Sequence, residues 1–176
     1  TFGTRDAVEA PLPVNLITIT PKQTVAEQDA TYGKDLFKTD LRPASVVTLY
    51  LLPEVNMELR PKLLQLRPGT RVVSHDFDMG DWEPDAKATS CPCTSWCTAL
   101  FWVVPAKVAG TWQLGQQALT LTQQYQMISG TLGATPITAG KLNGEDVTFT
   151  VGDRVYTGKV NGNGMAGQGW SATKAP

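Results

Sequence analysis

SVVTLYLLPEVNMELRPKLLQLRPGTRVVSHDFDMGDW, residues 45–82, changes its hydrophobic period twice and so decides the reading of the chain. Val46, Val47, Leu49, Leu51 and Leu52 form a nearly continuous apolar run rich in strand formers, as a strand covered on both faces requires. Pro53 ends that run. From Val55 onward Leu59, Leu63, Leu64 and Leu66 recur at helical spacing, leaving Glu54, Glu58, Arg60 and Lys62 for the wet face. Pro68-Gly69 stops the helix, and Arg71-Val72-Val73-Ser74 is the returning strand. Parallel neighbours need a crossover of this kind, so the stretch predicts a strand–helix–strand unit of a parallel α/β sheet.

An acidic, aromatic loop follows the returning strand. His75, Asp76, Asp78, Asp81 and Trp82 cluster at its carboxyl end, where α/β sheets generally bind ligands. As a site, the loop lines a substrate pocket through Asp81 and Trp82, with His75 or Asp78 as proton acceptor. His75, the single histidine of the chain, is the better base because its ordinary pKa lies near neutrality. As plain structure, the same residues are a solvated acidic loop with one polar histidine.

Composition excludes several classes. With 176 residues, 41% of them hydrophobic, and a net charge of −1, the chain can bury a real core as one domain or two small ones. Near-neutral charge gives no electrostatic case for nucleic acid or an anionic membrane surface. No apolar run approaches the ~20 residues that span a bilayer, and compartment and oligomeric state are not legible. Absence of a Gly-x-Ser-x-Gly elbow or a P-loop argues against the common hydrolases and nucleotide hydrolases. Cys91, Cys93 and Cys97 stand together in CPCTSWC, a spacing that matches no common zinc pattern. Small partly buried thiols are the favoured reading there; a disulfide with one thiol left over, or a metal completed by His75, are the alternatives.

After about Asp85 the composition shifts to glycine, threonine and alternating apolar residues, which predicts antiparallel strands joined by tight turns. The expected strands are 100–104 and 108–114, broken at Pro105, then 118–126, 128–132, 141–142, 147–151, 155–160 and 165–171. Asn143-Gly144, Gly152-Asp153 and Asn161-Gly162-Asn163-Gly164 supply hairpin turns, with Phe149, Tyr156 and Trp170 as the large packing residues of a small meander or partial barrel. A faint internal echo places Gly130, Gly140, Gly158 and Gly167 in similar strand contexts. Repeated units around a ligand cavity would produce it, and so, more simply, would hairpins reusing glycine for steric reasons.

Residues 45–82, preceded by GKDLFKTDL at 33–41, resemble the second half of a bacterial class I S-adenosylmethionine-dependent methyltransferase that carries a small β extension. The resemblance covers most of residues 33–112. It implies an α/β fold, a partial Rossmann-like methyltransferase layer over residues 1–85 with the first strand and glycine-rich loop missing, then a cysteine-containing loop at 86–98 and an antiparallel β module at 99–176. It also implies that Glu9 and Asp35 bind the cofactor, at the ribose and the adenine. Tyr50, Pro53 and Glu54 would lie where such enzymes bring substrate and methyl donor together. Tyr50 also reads as an ordinary strand aromatic, and Asp35 as a turn cap. Because no glycine-rich turn precedes Phe2, S-adenosylmethionine binding and transfer to an unknown acceptor belong to an intact protein, with an N-terminal fragment or second chain completing the sheet. The rival is a non-catalytic binding or structural protein that works through its β module.

Overall fold

The computed structural model describes residues 16–19, 36–89 and 95–175. Two hydrophobic cores organise them.

The first core belongs to a five-stranded mixed sheet. Strands β1 (Leu16–Ile19), β2 (Val46–Leu49) and β3 (Arg71–His75) run parallel, β5 (Thr98–Val103) returns antiparallel beside β3, and β4 (Ala86–Thr89) forms the outer edge next to β5. Helix α1 (Pro53–Leu63) connects β2 to β3 and buries Asn56, Leu59 and Leu63. Pro53 sits in its first turn, where its fixed φ helps and its missing N–H costs nothing. Glu54 complements the helix N-terminus, and Arg60 and Lys62 the C-terminus. Pro61 lies within the last turn and removes one backbone donor, and the helix ends at Leu63, short of the Leu66 that the apolar spacing suggested, in a tighter turn where Gln65 N donates to the Lys62 oxygen and Leu66 N to the Leu63 oxygen. Trp82 and Trp102 are fully buried beneath this sheet, with ring centroids 6.0 Å apart and Trp102 Nε1 donating to the main-chain oxygen of Trp82 at 2.8 Å.

The second core fills a closed eight-stranded barrel. Its strands are β6 (Gly110–Leu114), β7 (Gln117–Gln124), β8 (Met127–Leu132), β9 (Thr135–Asn143), β10 (Asp146–Val151), β11 (Arg154–Asn161), β12 (Gly164–Gly167) and β13 (Trp170–Lys174). Each pairs antiparallel with its sequence neighbour, and β13 closes the barrel on β6 through Ala172 opposite Leu114 and Lys174 opposite Trp112. Alternation places Trp112, Leu119, Leu121, Leu142, Val147, Phe149, Met165 and Trp170 inward, so side chains fill the interior. Phe149, Tyr156 and Trp170 pack as one aromatic group, with centroids 4.9 to 5.7 Å apart.

The expected partial Rossmann-like methyltransferase layer is corrected by this architecture. Among the described residues there are thirteen strands and one helix, and an eight-stranded barrel dominates. The physical reason lies after His75. A doubly wound layer needs a second crossover helix, but no stretch beyond Leu66 has helical periodicity. Asp76 instead takes a left-handed φ of 58°, and the chain returns antiparallel through β5.

The echoing glycines have a steric cause. A Cβ on Gly167 would stand 1.9 Å from the Thr157 carbonyl oxygen and 2.3 Å from Trp170 Nε1, and one on Gly130 would stand 1.8 Å from the Thr120 oxygen. Neighbouring strands approach too closely there for any side chain.

Sheet and barrel are joined by direct contacts. The Tyr125 ring stacks on Trp82 with centroids 6.0 Å apart, and its hydroxyl donates to the Asp81 carboxylate at 3.0 Å. Arg60 Nη1 donates to the same carboxylate at 2.5 Å and to the Met79 oxygen at 2.7 Å. Gln126, buried, donates to the Glu83 oxygen at 2.7 Å.

Candidate functional site

At the carboxyl ends of β2 and β3 lies a cleft of about 210 Å³ lined by Tyr50, Leu51, Leu52, His75, Phe77 and Trp96. Its position follows from the sequence. The apolar run of β2 continues past the last paired residue, so Tyr50, Leu51 and Leu52 emerge above the sheet just before Pro53 starts the helix. His75 closes β3, and Phe77 follows it in the turn.

Asn56 holds that turn. From the buried face of α1 its amide nitrogen donates to Ser74 Oγ at 3.1 Å and to the Phe77 and Asp78 carbonyl oxygens at 3.2 and 3.3 Å. One polar side chain in an apolar helix face thus fixes the backbone that presents Phe77.

The opposite wall is Trp96, 61% exposed although it is a large aromatic, and left-handed at φ 60°. For a bulky residue that conformation costs about 1–2 kcal/mol. Hydrogen bonds around it offset the strain: Asp76 N donates to the Thr98 oxygen at 2.8 Å, Thr98 N to Asp76 Oδ1 at 2.8 Å, and His75 Nε2 lies 2.9 Å from the Trp96 oxygen. Cys97, next in sequence, is disulfide-bonded.

The His75 contact has a chemical consequence. A carbonyl oxygen only accepts, so Nε2 carries the proton and the lone pair of the neutral ring resides on Nδ1. Asp76 Oδ2 lies 3.1 Å from the same Nε2, so a carboxylate stands beside the ring. The His75 ring stacks on Tyr50 at 4.6 Å, and Phe77 meets Trp96 edge-on at 5.3 Å. The cleft therefore combines two aromatic pairs with a histidine whose Nε2 faces a carbonyl oxygen and a carboxylate.

Of the residues singled out in the sequence, the structure brings Tyr50 and His75 together in this cleft. Pro53 and Glu54 follow as the first residues of α1 without lining it. Asp78 is exposed, and its Oδ1 accepts from Gly80 N at 3.1 Å. Asp81 faces the barrel through Arg60 and Tyr125, and those two hydrogen bonds hold its carboxyl below the usual range. Trp82 is fully buried in the sheet core. Glu9, Asp35, Cys91 and Cys93 lie outside the described residues. Among the described residues no group of three His, Cys, Asp or Glu could hold a metal ion, and no helix is long and apolar enough to cross a membrane.

Sequence reading missed Phe77, Trp96 and the anchoring Asn56. Trp96 lies twenty-one residues from His75 and meets it only because β5 pairs with β3. The one local signal was an exposed-side tryptophan between cysteines, in a loop rather than a periodic segment.

Residues 7–86 match the family model described as the ANTKMT methyltransferase domain. A protein-lysine N-methyltransferase of Saccharolobus islandicus is 51% identical over 51 residues, 28% of this chain and 32% of that protein. An adenosine 5′-phosphosulfate reductase of Streptomyces coelicolor is 68% identical over 40 residues, 23% of this chain and 17% of that protein. A solved RNA methyltransferase from Salinibacter ruber, in complex with S-adenosyl-L-homocysteine, shares 51% identity over 43% of this chain and 47% of that one, with a TM-score of 0.39. The chain thus spans a third or less of the length of these two curated relatives. The matched residues 7–86 carry Tyr50, His75 and Phe77, and over that segment the similarity supports a methyltransferase.

Proposed function

We propose that the chain is part of an S-adenosylmethionine-dependent methyltransferase and that the Tyr50–Trp96 cleft receives the methyl acceptor, an amine of the lysine type. The observation that carries the reading is the contact of His75 with the loop opposite: its Nε2 lies 2.9 Å from the Trp96 oxygen, which can only accept, so Nδ1 is the nitrogen that can take a proton on a residue that lines the cleft. The match of residues 7–86 to a methyltransferase domain and the similarity to a lysine methyltransferase support the choice of reaction and acceptor.

The cleft itself does not hold the whole donor. A cleft of about 210 Å³ is smaller than the roughly 300–1,000 Å³ of pockets that enclose a drug-sized ligand, and Glu9 and Asp35 lie outside the described residues. The cleft suits a single alkylamine side chain. An amine nucleophile must lose its proton before it can attack a methyl group, and an ordinary lysine ammonium has a pKa near ~10.4. Apolar walls disfavour the primary ammonium, which is strongly hydrated in water, and so favour loss of its proton on entry. The proton passes from the amine nitrogen to His75 Nδ1, with the Asp76 carboxylate 3.1 Å from the ring's other nitrogen. Positioning between the aromatic pairs supplies the rest.

Calorimetric titration of the protein with S-adenosylmethionine and S-adenosylhomocysteine tests the donor. Saturable binding of both supports the reading; heats no larger than dilution count against it. The β-module alternative predicts the second result.

A further inference from the structure

We infer that the cleft binds methylated ammonium groups more tightly than the unmodified amine, so that it retains the product of each transfer. The inference names the ligand preference of the acceptor site and rests on the reading above for its biological setting, but the binding chemistry stands on the cleft alone.

Four rings line the space. Tyr50 and His75 form one stacked pair and Phe77 and Trp96 an edge-on pair, and Leu51 and Leu52 complete the lining. Aromatic faces attract cations through the ring quadrupole, Trp most strongly, and enclosed sets of such rings recognise quaternary ammonium. A primary ammonium has three N–H donors to satisfy, and with His75 Nε2 already engaged the side-chain acceptors of this lining are His75 Nδ1 and the Tyr50 hydroxyl, fewer than three. Each methyl group removes one donor and adds apolar surface, so the penalty for leaving water falls as methylation proceeds while the attraction to the rings persists.

The sign of the local field agrees. The N-terminus of α1 opens beside the cleft and alone would favour an anion, but Glu54 occupies its first turn and the Asp76 carboxylate stands behind His75. Trp96 also has a reason to remain exposed and left-handed: packed inward it could not offer its face to a ligand.

The test uses tryptophan fluorescence without any methyl donor. Of the five tryptophans, Trp82, Trp102 and Trp112 are fully buried and Trp170 is 9% exposed, so acrylamide quenching reports chiefly on Trp96. Nα-acetyl-lysine methylamide, its mono-, di- and trimethyl forms, tetramethylammonium and adenosine serve as probes. The expected result is protection that strengthens with methylation, with at least a tenfold lower Kd for trimethyl-lysine than for lysine, and loss of that protection in Phe77→Ala with an unchanged circular dichroism spectrum. Tetramethylammonium as good as trimethyl-lysine assigns the site to the headgroup alone, and a weaker tetramethylammonium assigns it to the side chain; both support the inference. Equal or tighter binding of unmodified lysine, protection by adenosine but not by the ammonium series, or no protection at all overturns it. Because no donor is present, failure here leaves the donor titration unaffected, and failure of that titration leaves this result standing.

Discussion

His75 Nε2 lies 2.9 Å from the main-chain oxygen of Trp96, and this contact joins the end of β3 to the loop that forms the far wall of the cleft. On the proposed reading, one hydrogen bond sets both the proton-accepting nitrogen of His75 and the place of the wall. Replacing His75 by Ala removes both. Replacing it by Asn or Gln keeps a donor for the Trp96 oxygen but supplies no base. We expect His75→Ala and His75→Gln each to lower methyl transfer by about 100-fold, the lower end of what a positioned general base contributes. Trp96 quenching should rise in His75→Ala and stay near wild type in His75→Gln. Steady-state rates alongside acrylamide quenching separate the two roles.

Asn56 gives a second prediction. Its amide is buried and ties Ser74, Phe77 and Asp78 to α1. Asn56→Ala leaves those groups without their donor and should destabilise the protein by about 1–3 kcal/mol. Denaturant unfolding measures the loss, and the quenching titration should show a weakened cleft under conditions where the variant is still folded.

The barrel glycines supply a third. Gly167→Ala drives a Cβ against the Thr157 oxygen and the Trp170 indole and should cost at least the ~1–3 kcal/mol typical of overpacking. Gly164→Ala, where the nearest atom is 3.5 Å away and φ is ordinary, should cost far less. Thermal melts of the two variants check the contrast.

These glycines also show what could be read without coordinates. The echo of Gly130, Gly140, Gly158 and Gly167 is visible in the sequence, but its cause is the approach of a neighbouring strand, which local pattern does not contain. Turn chemistry was more legible. Gly144, Gly152 and Gly162 all take positive φ near 60° at the hairpin ends where their Asn-Gly, Gly-Asp and Asn-Gly-Asn-Gly contexts put them. The helix start at Pro53 and the return at Arg71 are equally local signals. The global fold was misjudged because a strand–helix–strand segment was extended to a whole Rossmann-like layer, while the continuation through β5 and the closure of β13 on β6 depend on long-range pairing. At the site, Tyr50 and His75 could be chosen from their place at strand ends. Trp96 could not, since only the β3–β5 register brings its loop to His75.

A fourth prediction concerns pH. Arg60 first, and then the Tyr125 hydroxyl, hold the Asp81 carboxyl below its ordinary range. The unfolded chain therefore takes up that proton before the folded one as pH falls. The stability this carboxylate adds is fully present above the ordinary aspartate pKa of about 3.9 and is lost as pH drops through the folded value. Tyr125 is shifted up, by burial first and the Asp81 hydrogen bond second, so its contribution is present below the ordinary tyrosine value of about 10 and is lost above it. Asp81→Asn should melt below wild type at pH 6, with a difference that shrinks as pH falls below about 4. Melts of both proteins across that interval provide the comparison.

The most direct measurement of the central claim is transfer of a radiolabelled methyl group from S-adenosylmethionine to a lysine-containing peptide, made with the wild-type protein and with His75→Gln side by side. The account predicts label in the peptide with wild type and about 100-fold less with the variant. Label transferred equally well by both would contradict the placement of the acceptor in this cleft, and no transfer by wild type would contradict the methyltransferase reading itself.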